Sequence, residues 1–272
     1  MKLWICFLIV FCTVSGLDGQ SFQVIKVAGL ITNCTSGDTL RMEDKIKATD
    51  SLCFVNTKEK YAVAALIDLK TKGRFLIKAG KTEAGVQPEL VKNVLKRSDT
   101  RTGSRRGKIN TILDLQTFFG NAEFLIMGGQ LRLELNPESL PMDQKNFFYA
   151  SYQYRGEKIN KKLSYEGNEL LLSAEELYKV DDEPIDALAT TNFQLYYFPT
   201  ATKKPVLITG FSPLFLSDEL AGKELDVIYH TMVGTAPQLI QEELTAYLVE
   251  IYGKADAENV GAWLKAYLKG KE

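Results

Sequence analysis

One histidine, His230, serves a chain of 272 residues, and it falls within an apolar pattern of helical spacing. A serine triad could use it, but no Gly-x-Ser-x-Gly elbow accompanies it. Zinc hydrolysis takes two or three histidine ligands, and phosphate-binding glycine loops are missing from the sequence, so His230 reads as structural. Acids are abundant: with 34 Asp and Glu, chance pairs are unavoidable, and a carboxylate-dependent hydrolase of glycan or peptide stays open without a motif behind it. No cofactor or metal is expected and no catalytic residue is assigned. Asp181, Asp182, Glu183 and Asp186 form an acidic cluster, but it lacks the alternating oxygen spacing and glycine of an EF-hand loop and reads as a solvated connection.

Three other groups carry binding or redox chemistry. Cys34 and Cys53 lie too far from histidine or further cysteine for zinc and outside any redox motif; in an oxidising compartment they invite a disulfide. The alternative is two free thiols, with Cys53 buried in the apolar run Leu52 to Val55. From Lys92 to Lys108 seven basic residues face one acid, Asp99, with small polar residues between. The stretch from Ser98 reads as a basic interdomain linker, and Arg97, Arg101, Arg105, Arg106 and Lys108 are candidates for a polyanion or partner contact, with Arg105 and Arg106 also a proteolytic site. No aromatic residue is interleaved there to stack on bases, and the overall charge is nearly balanced, which argues against nucleic acid. The third group is the aromatic run Phe147 to Tyr154. Alternation places Phe148, Ala150, Tyr152 and Tyr154 on one face and Phe147 and Tyr149 on the other. Core packing is the plain reading; an aromatic platform for carbohydrate or peptide, using Tyr149, Tyr152 and Tyr154, is the sharper one.

Of the segments around these residues, the N-terminal one is a secretory signal. Lys2 precedes the apolar run Leu3 to Val14, which ends in small residues with cleavage expected after Gly16 or Gly19. The run is shorter than the roughly 20 residues of a spanning helix, and Cys6 and Cys12 lack a lipobox context. An uncleaved anchor is the alternative, disfavoured because no positive stop-transfer cluster follows. Cleavage leaves a periplasmic or secreted chain that does not span the membrane, with Cys34 and Cys53 its remaining cysteines.

Residues 20–97 read as a small β module ending in a helix. Phe22 to Thr32 is its first strand, and Tyr61, Val63, Ala65 and Ile67 alternate so as to present one face to a core. Lys72 and Gly73 form a turn, and Pro88 stands where a helix begins, running to about Arg97. The segments VIKVAGLI and GDTLRMEDKIKATDSLCFVN, with Leu40, Glu43, Asp44 and Ile46 in the turn, resemble FecR-type and SH3-like periplasmic β modules over residues 22–78. Glu43 stands where that pattern favours glycine, and its Asp-Gly-Ser turn is missing. The whole chain also resembles uncharacterised exported proteins of the Bacteroidota.

After the linker at 98–108, residues 109–272 read as a β-rich domain with C-terminal helices. Gly128 and Gly129 join two apolar runs into a hairpin, and Leu131, Leu133 and Leu135 alternate with polar residues. Ser173 to Glu176 fits a capping box for one helical turn, and Phe193 to Phe198 with Pro205 to Phe211 forms a second hairpin. Leu220 to Met232, Ile240 to Ile251 and Val260 to Leu268 repeat at helical spacing, with Pro237 and Asp256 at two starts; the last two segments predict an αα-hairpin. The expected class is α+β: a small antiparallel β module and a larger β-rich part closed by a C-terminal α-hairpin. The expected function is a non-catalytic binding or scaffold protein of the bacterial cell envelope whose partner is a protein or an envelope polymer. The alternatives are the carboxylate hydrolase and a FecR-like envelope sensor or regulator.

Overall fold

The structure is a computed structural model that describes residues 19–57, 61–79, 85–97 and 109–271. The expected signal sequence up to residue 18 and the whole basic linker 98–108, with the named cations Arg101, Arg105, Arg106 and Lys108, lie outside those residues. With 43% strand and 26% helix the chain is a mixed α+β protein. It divides into two compact units, 1–98 and 99–272.

The first unit contains β1 (Ser21–Ala28), β2 (Leu30–Asn33), β3 (Lys45–Lys47), β4 (Ser51–Asn56), β5 (Val63–Asp68), β6 (Arg74–Lys78), β7 (Gly85–Leu90), the single turn α1 (Val91–Val94) and β8 (Leu95–Arg97). Two antiparallel sheets, ordered β3-β1-β5-β6-β8 and β2-β4-β7, contribute to one core that includes Phe22, Ile31, Leu52, Phe54 and Leu66. The expected first strand is broken at Gly29, whose φ is 82° and whose Cβ, if present, would sit 2.9 Å from the Ala62 Cα. Only glycine fits that close approach, so the chain bends and β2 leaves for the second sheet. On β5 the residues in the core cluster are Ala64 and Leu66, but Ala65 and Ile67 are buried too, so the strand is covered on both faces. Pro88 does not start a helix. It lies in β7 opposite Cys53, at a sheet edge where its missing N–H costs no ladder bond.

The second unit runs through α2 (Ile112–Phe119), β9 (Glu123–Met127), β10 (Gln130–Glu134), β11 (Phe147–Tyr154), β12 (Glu157–Lys162), β13 (Tyr165–Glu166), β14 (Glu169–Ser173), α3 (Ala174–Leu177), β15 (Lys179–Val180), β16 (Glu183–Pro184), β17 (Thr190–Phe198), β18 (Val206–Gly210), β19 (Ser212–Leu216), α4 (Asp218–Thr231), α5 (Pro237–Tyr252), β20 (Lys254–Ala255) and α6 (Ala257–Lys269). Its sheets are β10-β14-β13, β12-β11-β17-β18, β15-β16 and a parallel one, β19-β9-β20. Gly128 and Gly129, both at positive φ, do not close a hairpin: they turn the chain from the parallel sheet into the one containing β10. The turn is pinned by Asn259, which accepts a hydrogen bond from Met127 N (2.8 Å) and donates to Met127 O and Gln130 O.

The last two helices are not joined by a plain turn. Between them β20 pairs with β9, and Gly253 makes this possible, since a Cβ there would stand 2.9 Å from Glu123 O. Asp256 caps α6 as its sequence position suggests, accepting from Glu258 N and Asn259 N. The expected capping box at Ser173 does not form, whereas Thr111 and Asp114 make one at the start of α2. Asp181 and Asp182, at φ of 49° and 66°, are the turn residues of the β15–β16 hairpin, which accounts for the acidic cluster locally.

Candidate functional site

The sequence places eight residues, Phe147 to Tyr154, in β11, and their alternation decides the character of two surfaces. Register with β17 pairs Phe148 with Tyr197 and Ala150 with Leu195 on one face, and Phe147 with Phe198 and Tyr149 with Tyr196 on the other. The first face belongs to the unit's core together with Leu131, Leu172, Phe211 and others. Tyr152 is 1% exposed there, stacks with Phe193 and donates its hydroxyl to Leu177 O at 2.5 Å. Burial raises its pKa. Tyr152 is therefore a core residue and cannot belong to a solvent-facing platform. Tyr154 is half-buried against the same core, with the Arg155 guanidinium 5.1 Å from its ring centre.

The second face is half-exposed and differently built. Tyr149 and Tyr196 stack with ring centres 5.0 Å apart and planes 5° from parallel; Phe147 and Phe198 stand 5.2 Å apart at 20°. Rings lying flat and side by side would collide at their edges before their centres came this close. The rings therefore stand on the sheet with their faces against each other, and their edges point outward. Lys162 Nζ lies 4.7 Å over the Phe147 ring. Burial, and then the neighbouring Tyr196 phenol, raises the pKa of Tyr149. Tyr196 covers one face of the Tyr149 ring. With Tyr152 buried in the core and Tyr149 on the opposite side of the strand, the aromatic platform for carbohydrate or peptide expected from Tyr149, Tyr152 and Tyr154 does not come together on one exposed face.

What surrounds the standing rings is cationic. On β12, Lys158 and Lys162 pair across from Gln153 and Tyr149, so both lie on this face, and Asn160 lies between them opposite Ser151. Leu207, 45% exposed, faces Tyr196 from β18. The β17–β18 turn adds Lys203 and Lys204, both exposed. Residues 147–162 and 190–210 hold Arg155, Lys158, Lys161, Lys162, Lys203 and Lys204 against a single acid, Glu157. Tyr196 donates its hydroxyl to Gln194 Oε1 at 2.8 Å, within its own strand.

The other candidate residues are scattered. Cys34 and Cys53 are joined by a disulfide with Cα atoms 5.2 Å apart. The register explains it: Thr32 pairs with Cys53 across β2 and β4, and Cys34 N donates to Ser51 O just beyond. Arg97 ends β8 opposite Phe75. His230 is exposed near the end of α4, its Nδ1 2.7 Å from Asp226 O. Acids that come together are held in structural roles: Glu166 and Glu169 both accept from Arg132, at 2.7 and 3.3 Å, and buried Glu224 accepts from the hydroxyls of Tyr247 and Tyr252 at 2.7 and 2.6 Å. A cleft of about 500 Å³ in the first unit is lined by Asp38, Asp44 and Asp50 among others. Two of these carboxylates fasten turns, Asp44 accepting from Arg41 N and Asp50 from Lys47 N. Among the described residues no three His, Cys, Asp or Glu are grouped to hold a metal ion, and no helix is long and apolar enough to cross a membrane.

Sequence reasoning missed Tyr196, Phe198, Lys158 and Lys162. The signal was present in the lysine-rich strand EKINKK and in the aromatic end of β17, but which strands neighbour β11 is a matter of topology. No protein-family model matches this chain, and no curated protein matches it.

Proposed function

We propose that this is a non-catalytic binding or scaffold protein of the bacterial cell envelope, exported to the periplasm or beyond, and that it binds through the outer face of the β12-β11-β17-β18 sheet. In this reading the N-terminal part is a small antiparallel β module, as its resemblance to FecR-type modules suggests. The larger part, with its C-terminal helices, carries the binding surface. The observation that supports it is the pairing of standing aromatic rings with a lysine-rich, nearly acid-free surround on one half-exposed sheet face. A sheet face kept only for solubility has no use for two aromatic pairs, because half-exposed apolar surface costs solubility unless something covers it.

The test is affinity capture from envelope extracts with the wild-type protein and with a variant carrying Tyr196→Ala and Leu207→Glu, followed by identification of what is retained. The reading expects a reproducible partner or polymer with the wild type that the variant loses while remaining folded. Equal retention by both, or turnover of a glycan or peptide polymer by the purified protein, contradicts it.

A further inference from the structure

We infer that the outer face of the β12-β11-β17-β18 sheet binds an acidic polysaccharide, its carboxylates met by Lys158, Lys162, Lys203 and Lys204 and its hydroxyls by Gln153 and Asn160. The inference rests on the binding role proposed above and gives the surface its ligand. Charge complementarity sets the sign of the ligand. Lys158 and Lys162 lie on the face, Lys203 and Lys204 stand exposed in the β17–β18 turn at its end, none of the four forms an ion pair with a described residue, and the outward residues of the strands include no acid. Lysine ammonium groups are compact, strongly hydrated charges, suited to a wet contact with a flexible polyanion.

Ring orientation narrows the class further. An aromatic ring carries negative potential on its faces and positive potential at its edge. Tyr149 and Tyr196, and Phe147 and Phe198, stack in pairs, and Lys162 Nζ stands 4.7 Å over the Phe147 ring, so ring faces of the ridge are engaged by one another and by a cation of the protein itself. The same geometry disfavours a single-stranded nucleic acid, whose bases need open ring faces to stack upon. It also disfavours an anionic lipid surface. Docking on a membrane calls for apolar side chains that reach several ångströms past the headgroups, whereas these four rings are half-buried on the sheet. Amides alternating with lysines along the strands, Gln153 beside Lys158 and Asn160 between Lys158 and Lys162, supply donors and acceptors for sugar hydroxyls.

The experiment is calorimetric titration of the purified protein with an oligogalacturonate, set against a neutral gluco-oligosaccharide of equal length, phosphatidylglycerol vesicles and a single-stranded oligonucleotide. The inference expects saturable binding of the oligogalacturonate that weakens as salt is raised, with no binding of the neutral sugar. The variant K158Q/K162Q/K203Q/K204Q is expected to bind about tenfold more weakly with an unchanged circular dichroism spectrum. Failure to bind the oligogalacturonate, undiminished binding by the variant, or binding only to vesicles or oligonucleotide overturns it. The capture experiment separates the two levels. If the Tyr196→Ala/Leu207→Glu variant loses an envelope partner but no oligogalacturonate binds, the binding role stands and the acidic-glycan assignment falls.

Discussion

Phe148 and Tyr197 meet on one face of the four-stranded sheet; Tyr149 and Tyr196 meet on the other, one residue on along β11 and one back along β17. Residue type does not separate the two faces, since each is made of Phe and Tyr. The surroundings separate them. On the inner face the hydroxyls reach other segments, Tyr152 to Leu177 O and Tyr197 to Pro141 O, so each ring is tied to the core. On the outer face Tyr196 bonds, among the described residues, only back to Gln194 in its own strand, and lysines flank the rings. A period of two residues has thus divided one aromatic strand between a packed core and a half-exposed, lysine-flanked face, and substitutions on the two faces should fail in different ways.

The largest effect belongs to the inner face. Tyr152→Ala removes a fully buried ring and its hydrogen bond, and should cost about 3–5 kcal/mol, measured by urea denaturation. A loss under about 1 kcal/mol would break the division by showing that the inner face is not a packed core.

Alkaline pH sharpens the same contrast. Burial, and then the neighbouring Tyr152, pushes the Tyr178 phenol up to about 12, with a hydrogen bond from Thr190 opposing the shift. Its folded pKa lies above its unfolded value of 10.0, so this contribution is complete below pH 10 and is lost as pH rises toward 12. The loss should total about 3 kcal/mol, and Tyr178→Phe should make the decline of stability with pH shallower by up to one proton, or about 1.4 kcal/mol per pH unit. Unfolding curves collected across that window give the slope directly.

Smaller effects are expected outside. A double-mutant cycle with Tyr149→Ala and Tyr196→Ala should return a coupling of about 0.5–1.5 kcal/mol, the worth of a stacked pair, with each variant still folded. Coupling near zero would mean that the rings do not stand against each other. Lys162→Gln should change stability by no more than about 1 kcal/mol, the upper value for an exposed cation over a ring. A larger loss would make Lys162 part of the fold rather than of the surface.

Alternation makes much of this division legible in the sequence alone. It separates β11 correctly into Phe148, Ala150 and Tyr152 against Phe147 and Tyr149, and it marks Leu131 and Leu133 as inward. Local capping chemistry identifies Asp256 at the head of α6. Features that depend on distant segments are beyond it. Pro88 looks like a helix start because the sequence does not show that β4 will offer it a sheet edge. Gly29 and Gly253, both at positive φ, also leave no room for a Cβ because Ala62 and Glu123 stand against them, and that closeness depends on distant segments. The candidate surface is half legible for the same reason: Tyr149 is visible, but Tyr196, Phe198 and Lys162 join it only through strand order. Tyr152 and Tyr154 group with Tyr149 in the sequence because aromatic composition alone does not say which face is covered.

Where a ligand meets the protein is the central claim, and amide chemical-shift mapping reads that location directly. Titrating isotope-labelled protein with oligogalacturonate should move the amides of 147–149, 158–162, 194–198 and 203–207 together, leaving the core residues Leu131, Leu133 and Leu172 and the first unit unchanged. Shifts centred on the first unit, or none at saturating oligosaccharide, would contradict the claim that the outer sheet face is the binding surface.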